Sequence, residues 1–260
     1  MPYSDTNKFS TAKRVLFLIG GLMSYATYAQ TTPDDKWHGN FVIGGSFTTG
    51  SNSSENFNAD LDSTRTSEQD KINLHATTNY GSSTTDDVRK HTAQRFRAGG
   101  RYDYNLTKTL FVFAGGDQES NKLQNIDSRT TLNGGAGYRL VHSATSSWDL
   151  FAGKGHTATT FLTQTRIFPP RQLKTKGTTL MVGEESSHAL SEATTIKQSL
   201  IVYPGQAEIN TRTIFDASLS TTIIGGWTLN VDTKVEYESN LGPEFNSTSS
   251  VVTFGFGYKY

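Results

Sequence analysis

The chain has 260 residues, 24 Lys and Arg against 24 Asp and Glu, and no cysteine. The balanced charge gives no reason to expect a nucleic-acid partner, and the lack of cysteine excludes disulfides, thiol catalysis and thiolate metal sites. Only 34% of the residues are hydrophobic. That low content is compatible with a membrane barrel, because each barrel strand is apolar on one face only.

The first 29 residues have the layout of a secretory signal peptide. Lys8, Lys13 and Arg14 precede a short apolar run at 15–23, and small residues follow, with a cleavage site after Ala29. The apolar run is shorter than the roughly 20 residues that a membrane-spanning helix needs. We therefore predict a cleaved signal peptide at 1–29 and one β-barrel domain at 30–260.

From residue 37 onwards, apolar and polar residues alternate in segment after segment. In 227–238, Trp227, Leu229 and Val231 share one face, and the opposite face carries four charged residues. Such a charged face does not suit the core of a soluble β-sandwich, but it suits a lumen opposite lipid. The pattern predicts about twelve strands, at 37–49, 55–66, 69–80, 92–105, 109–120, 128–141, 147–160, 178–189, 194–203, 211–224, 226–239 and 249–260.

The connectors and the last strand favour a bacterial outer-membrane barrel. Short turns alternate with longer connectors at 81–91, 161–177, 204–210 and 240–248, which is the asymmetry of periplasmic turns and outer loops. The final VVTFGFGYKY places aromatic residues on one face up to Tyr260, as in the strand that barrel-assembly machinery recognises. We predict an all-β, transmembrane, antiparallel up-and-down barrel in the outer membrane; the alternative is a soluble sandwich or lipocalin-like barrel.

Aromatic residues concentrate at the predicted periplasmic ends of the strands. Tryptophans open rising strands and tyrosines close descending ones, as expected of a girdle at the membrane–water boundary. The predicted girdle comprises Trp37, Tyr102, Tyr104, Tyr138, Trp148, Trp227, Tyr258 and Tyr260.

Charged residues on the polar strand faces are the candidate lumen lining. One predicted wall is mainly basic and the closing wall mainly acidic. Two readings stay open: a transverse field that orients a polar solute, or mutual pairing that plugs the lumen. The predicted lining comprises Lys71, Arg95, Arg97, Arg101, Arg139, Asp216, Asp232, Lys234, Glu236, Glu238 and Lys259.

The sequence shows no motif that carries catalysis. The six histidines form no pair at metal-ligand spacing, and no G-x-S-x-G nucleophile motif is present. We predict no enzyme activity, no metal, no cofactor and no nucleic-acid partner, although a hydrolase whose His and Ser come from distant strands remains an alternative.

Several segments together resemble the salt-induced outer-membrane protein family (YdiY-like). The resemblance covers nearly the whole mature chain and implies an outer-membrane barrel, with no agreed substrate, cofactor or catalytic residue. It is carried by 37–40, 102–112, 132–139, 183–191, 215–219 and the aromatic C-terminus. Within 183–191, consecutive Glu184 and Glu185 should face opposite sides of a strand; the alternative is that both are solvated at the extracellular mouth.

Three functions follow from these patterns, in order of preference. The first is a passive outer-membrane barrel, porin-like in build, that supports the envelope under osmotic or salt stress. The second is a narrow channel for a small polar solute. The third is a membrane lipid hydrolase or acyltransferase.

Overall fold

The computed structural model describes residues 33–48, 52–85, 88–165, 172–205, 210–239 and 247–260. The predicted signal peptide lies outside these residues. Within them the chain forms twelve antiparallel strands and one 3-10 turn, Lys122–Gln124. No helix among the described residues is long and apolar enough to cross a membrane. The strands are β1 (Trp37–Thr48), β2 (Asn52–Thr66), β3 (Asp70–Thr85), β4 (Val88–Asn105), β5 (Leu110–Asn121), β6 (Ile126–His142), β7 (Ser146–Thr165), β8 (Gln172–Ala189), β9 (Thr194–Tyr203), β10 (Arg212–Ile224), β11 (Trp227–Glu238) and β12 (Thr248–Lys259).

The strands close into a barrel in which neighbours in sequence are neighbours in space. The first and last strands complete the ring, in a register that runs from Asn40 opposite Lys259 to Gly44 opposite Gly255. Closure removes the bare sheet edge that the apolar last strand would otherwise expose. The predicted all-β, twelve-stranded, up-and-down barrel is confirmed.

Short turns lie at the end of the barrel where β1 begins and β12 ends, which we call the terminal rim; the opposite end is the distal rim. The tightest turn joins β10 to β11 through Gly225 and Gly226, whose φ angles are 55° and 88°. Two consecutive positive φ values suit a two-residue hairpin turn and favour glycine. The other turns at this rim are also brief, at 67–69, 106–109, 143–145 and 190–193.

Strands near the distal rim are longer than the sequence predicts. In the segments 81–91 and 161–177, predicted as loops, the described residues are strand, because β3 continues to Thr85 and β7 to Thr165, and β8 begins at Gln172. Ser83, for example, pairs with Lys90 in the extended β3–β4 hairpin. The added strand residues lack an apolar alternation, since 81–85 consists of Gly, Ser and Thr and 172–177 is mostly polar. The backbone hydrogen bonds of a ladder do not need such an alternation.

Apolar side chains cover the outside of the barrel, and a second apolar group lies inside it. Val252, Phe254 and Phe256 are among the exposed outward residues of β12. Inside, a buried cluster projects from β5 and from β7 to β10 and fills part of the lumen. Its members are Phe111, Phe113, Phe151, Met181, Tyr203 and Ile214, with Ile201 packed against them.

Candidate functional site

The densest set of interacting side chains lies inside the barrel, near the distal rim. Three arginines and three glutamates converge there from β4, β5, β6, β10 and β11, and we call them the distal cluster. The members are Arg95, Arg129, Arg212, Glu119, Glu236 and Glu238. Three positive and three negative charges make the cluster neutral as a whole.

Ion pairs of the distal cluster cross the lumen. Arg212 donates to Glu119 at 2.6 Å, and Arg129 donates to Glu238 at 2.5 Å. Arg95 also donates to Glu236. Each of these three pairs joins strands that lie five positions apart around the ring of twelve. Because the partners stand on distant walls, the pairs span the interior instead of lining one side of it.

Glu119 is the centre of the cluster. Its carboxylate lies 2.6 Å from the Arg212 guanidinium and 3.6 Å from those of Arg95 and Arg129. Charge-assisted bonds of this kind are the strong ones in proteins, and burial keeps them from being screened by salt.

Water has little access to the distal cluster. None of its six residues exposes more than 9% of its surface. A water-filled channel would leave the charges that line it accessible, as in the polar interior of porins. The barrel is therefore closed at this level in the structure.

A smaller group lies midway along the lumen. Arg97 and His75 both contact the carboxylate of Asp117, at 2.8 and 2.9 Å. On the other wall, the Lys234 ammonium lies 2.7 Å from Asp60. The charges of these groups pair with one another. Their side chains narrow the lumen on the terminal-rim side of the distal cluster.

A third group, which we call the proximal cluster, lies nearer the terminal rim. Arg101 forms a two-point hydrogen bond with Asp103 (2.7 and 3.0 Å) and donates to Glu185 at 2.6 Å. Lys71 reaches the same Glu185 oxygen from β3 at 2.9 Å. The Arg101 guanidinium also lies 4.9 Å from the ring centre of Phe151, so charge and aromatic surface pack together here.

The remaining predicted lining residues make fewer contacts. Arg139 donates to the side chain of Asn105 at 2.7 Å and lies over the Phe111 ring. Asp216 and Asp232 are partly buried on β10 and β11, and Lys259 is exposed at the terminal rim.

Sequence reasoning missed half of the distal cluster. It named Arg95, Glu236 and Glu238, but it left out Glu119, Arg129 and Arg212. A usable signal was present: Glu119 alternates with Asp117 and Asn121 along β5, the pattern of an inward face. The sequence alone did not show which strand faces β5 across the lumen.

Glu184 and Glu185 face opposite sides of β8. Glu185 points inward to the proximal cluster, whereas Glu184 accepts hydrogen bonds from the Trp148 indole at 2.6 Å and from Gln198 at 3.3 Å. The alternative of two solvated glutamates at the extracellular mouth is wrong, because both carboxylates are bonded and both lie in the half of β8 nearest the terminal rim.

The aromatic residues predicted as a girdle lie towards the terminal rim. Seven of them are exposed: Trp37, Tyr102, Tyr104, Tyr138, Trp227, Tyr258 and Tyr260. The eighth, Trp148, is half-buried by its contact with Glu184.

Family comparison matches residues 42–260 to the model described as a protein of unknown function, DUF481. The chain belongs to this family. The finer, YdiY-like name remains a prediction. No curated protein matches the chain in sequence.

Solved structures with a similar fold include a channel, a porin and a translocator domain. An outer-membrane channel from Pseudomonas putida is 10% identical, with a TM-score of 0.48, over 92% of this chain and all of that one. The NanC porin is 9% identical, with a TM-score of 0.49, over 85% and 98%. The translocator domain of the autotransporter NalP from Neisseria meningitidis is 10% identical, with a TM-score of 0.40, over 85% and 87%.

In the ranges that the structure describes, no group of three or more His, Asp or Glu side chains is arranged to hold a metal ion. Within those ranges, the interior is organised by ion pairs and aromatic contacts.

Proposed function

We propose that this protein is a bacterial outer-membrane barrel whose lumen is closed at rest. It serves the envelope as a non-conducting barrel and not as a general diffusion pore, and it carries no enzymatic activity. The outward apolar surface supports the membrane location, because a soluble protein seldom exposes so many large apolar side chains. The terminal rim then faces the periplasm, with the predicted aromatic girdle at the boundary of the lipid.

The observation that carries the proposal is the inaccessibility of the distal cluster. Three ion pairs join opposite walls, and every member is at least nine-tenths buried. A solute that passes from one rim to the other must break these pairs. Separating buried charges is costly, because each charge would then lack its partner in a medium of low dielectric constant.

A role in salt or osmotic stress fits this closed state. Exposed ion pairs weaken as salt rises, but buried pairs are screened much less. The closure should therefore persist in concentrated salt, where an open pore would let ions and small osmolytes equilibrate. In this role the lipid of the outer membrane is the main partner, and the last strand, β12, is the surface offered to the barrel-assembly machinery.

Solute permeation in reconstituted vesicles tests the proposal. The protein is reconstituted into vesicles that are transferred to isotonic arabinose, and swelling is followed by light scattering. Wild-type vesicles should swell no faster than protein-free vesicles. The double variant Arg212→Ala/Glu119→Ala removes one crossing pair without changing the net charge. Vesicles that carry it should swell faster than vesicles with the wild-type protein.

A matched control uses an ion pair that is exposed. Arg89 and Glu55 pair at 3.0 Å near the distal rim, with more than half of each side chain exposed. The double variant Arg89→Ala/Glu55→Ala should behave as wild type. Rapid swelling of wild-type vesicles would contradict the proposal and would favour the channel reading.

A further inference from the structure

A row of basic side chains lies on the outer wall of the barrel, in the halves of β7 and β8 that are nearer the distal rim. These side chains alternate with buried, inward residues such as Thr157 and Thr175, so they face outward. All of them are exposed. We call this set the basic row; its members are Lys154, His156, Lys174 and Lys176.

The backbone places the members of the basic row close together. Lys176 pairs with Ala158 across the β7–β8 ladder, which makes His156 its diagonal neighbour. Diagonal neighbours on one face of a sheet are about 7–8 Å apart, within reach of long side chains. Lys174 and Lys154 continue the row at its two ends, each two positions further along its own strand. Neighbouring members of the row can therefore donate hydrogen bonds to the same anionic group.

Within the described residues, the ion pairs that lysines form involve lysines outside the basic row. Other outward charges towards the distal rim do have partners: Arg89 pairs with Glu55 at 3.0 Å, and Lys122 pairs with Asp127. The outward carboxylate of β8, Glu184, is bonded to side chains of β7 and β9 and not to a lysine. Unpaired charges on the lipid face of a barrel are destabilising, so an anion that pairs with the row would offset that effect.

The basic row reaches the height at which the apolar band should end. Trp148 belongs to the predicted girdle near the terminal rim, and Ala158, opposite Lys176, lies ten residues further along β7. A strand that rises about 3.3 Å per residue at a tilt of about 40° climbs roughly 25 Å over that length. The apolar band of an outer-membrane barrel is also about 25 Å tall. Lys176 and Lys174 therefore lie at the lipid headgroups of the distal leaflet, and Lys154 can extend its ammonium group towards them.

Exposed leucines flank the basic row. Leu132 on β6 pairs with His156 and exposes 62% of its surface, and Leu180 on β8 pairs with Lys154. A ligand of the row thus meets cationic groups and apolar surface side by side. A free anion uses only the cationic groups, whereas a phosphorylated lipid uses both, through its phosphates and its acyl chains.

We propose that the basic row binds the phosphate groups of a phosphorylated lipid in the leaflet at the distal rim. The lysine ammonium groups pair with the phosphates, and the His156 ring donates a hydrogen bond. The acyl chains lie against the flanking leucines. This inference rests on the outer-membrane location proposed above, but it does not depend on whether the lumen is closed.

Lipid retention by the folded protein tests the site. Protein held on an affinity resin in a non-ionic detergent is titrated with diphosphoryl lipid A, and the retained lipid is measured by mass spectrometry. The wild-type protein should retain lipid in a saturable manner. The double variant Lys174→Gln/Lys176→Gln should bind about ten- to thirtyfold more weakly, the effect expected of two basic residues near a membrane surface.

Matched variants separate this site from general charge attraction. Lys36 and Lys108 are exposed at the terminal rim, so Lys36→Gln/Lys108→Gln changes the net charge by the same amount and should bind as the wild type does. Lys174→Arg/Lys176→Arg keeps the charge of the row and should also bind as the wild type does. The difference between the wild type and the Lys174→Gln/Lys176→Gln variant should shrink in concentrated salt, because salt screens exposed charges. Circular dichroism checks that each variant is folded.

Three results would overturn the proposal. The first is equal retention of lipid A, or none, by the wild-type and Lys174→Gln/Lys176→Gln proteins. The second is an equal loss of binding in Lys36→Gln/Lys108→Gln, which would show attraction to net charge alone. The third is displacement of the lipid by excess inorganic phosphate, which would show a site for a free anion. A folded barrel that does not enter phosphatidylcholine vesicles would instead contradict the membrane location itself, so the two proposals fail by different results.

Discussion

Replacing Glu119 by glutamine should destabilise the barrel far more than a typical surface substitution. The glutamine keeps the shape of the side chain but removes the charge that faces three guanidinium groups, at 2.6, 3.6 and 3.6 Å. Only Glu236 and Glu238 then remain to balance Arg95, Arg129 and Arg212. The residue is 2% exposed, so water cannot replace the lost carboxylate.

The magnitude follows from the cost of breaking a buried ion pair, about 3–5 kcal/mol. Glutamine still offers one oxygen as an acceptor. We therefore expect the free energy of unfolding to fall by about 3 kcal/mol, the lower end of that range. With a urea dependence of about 2 kcal/mol per molar, the unfolding midpoint should fall by roughly 1.5 M.

Urea unfolding of the protein refolded into phospholipid vesicles measures this loss, with tryptophan fluorescence and gel mobility as two independent probes. The matched control is Glu55→Gln, which removes the acidic partner of an exposed pair. Exposed pairs contribute about 0–1 kcal/mol. If Glu119→Gln falls within 0.5 kcal/mol of the control, the distal cluster does not hold the barrel together and the reasoning fails.

Three further predictions concern packing, the outer wall and the lipid. Gly137→Val should destabilise folding by about 1–3 kcal/mol, because a Cβ there would lie 2.1 Å from the Phe111 ring; urea unfolding measures it. Trp148→Phe should cost about 1–3 kcal/mol, because Glu184 loses its 2.6 Å bond from the indole; the same assay applies. Phe254→Lys should reduce the stability of the vesicle-inserted barrel by about 2–4 kcal/mol, because it places a charge on the lipid face.

Each of these has a contrasting outcome. Unchanged stability in Gly137→Val would mean that Phe111 moves aside without cost. If Glu184→Gln changes stability by the same amount in the wild-type and Trp148→Phe proteins, the carboxylate and the indole are not coupled. Wild-type stability of Phe254→Lys in vesicles would contradict the assignment of this face of β12 to lipid.

The barrel itself was predictable because alternation is a local signal. The last strand shows this alternation from Val252 to Tyr260. The predicted start of β11, at Gly226, lies one residue from its observed start at Trp227. The distal ends of β3, β4, β7 and β8, at 81–85, 88–91, 161–165 and 172–177, were not predicted because these residues carry no clear apolar alternation, although their backbones pair.

The interior was predictable only in part, for two physical reasons. Inward orientation follows from the strand alternation, so Arg95 and Glu236 could be assigned to the lumen from sequence. Their contact could not, because it depends on the tilt of the barrel and on which distant strands face each other. The inward aromatic residues Phe111, Phe113 and Phe151 also break the simple expectation of apolar residues outside and polar residues inside.

The single-channel conductance of the wild-type protein in a planar lipid bilayer tests the closed lumen most directly. We predict no stable conductance steps from protein shown by circular dichroism to be a folded barrel, and steps from the Arg212→Ala/Glu119→Ala variant. Regular steps from the wild-type protein, unchanged in that variant, would contradict the account, because they would show a water path that the distal cluster does not close.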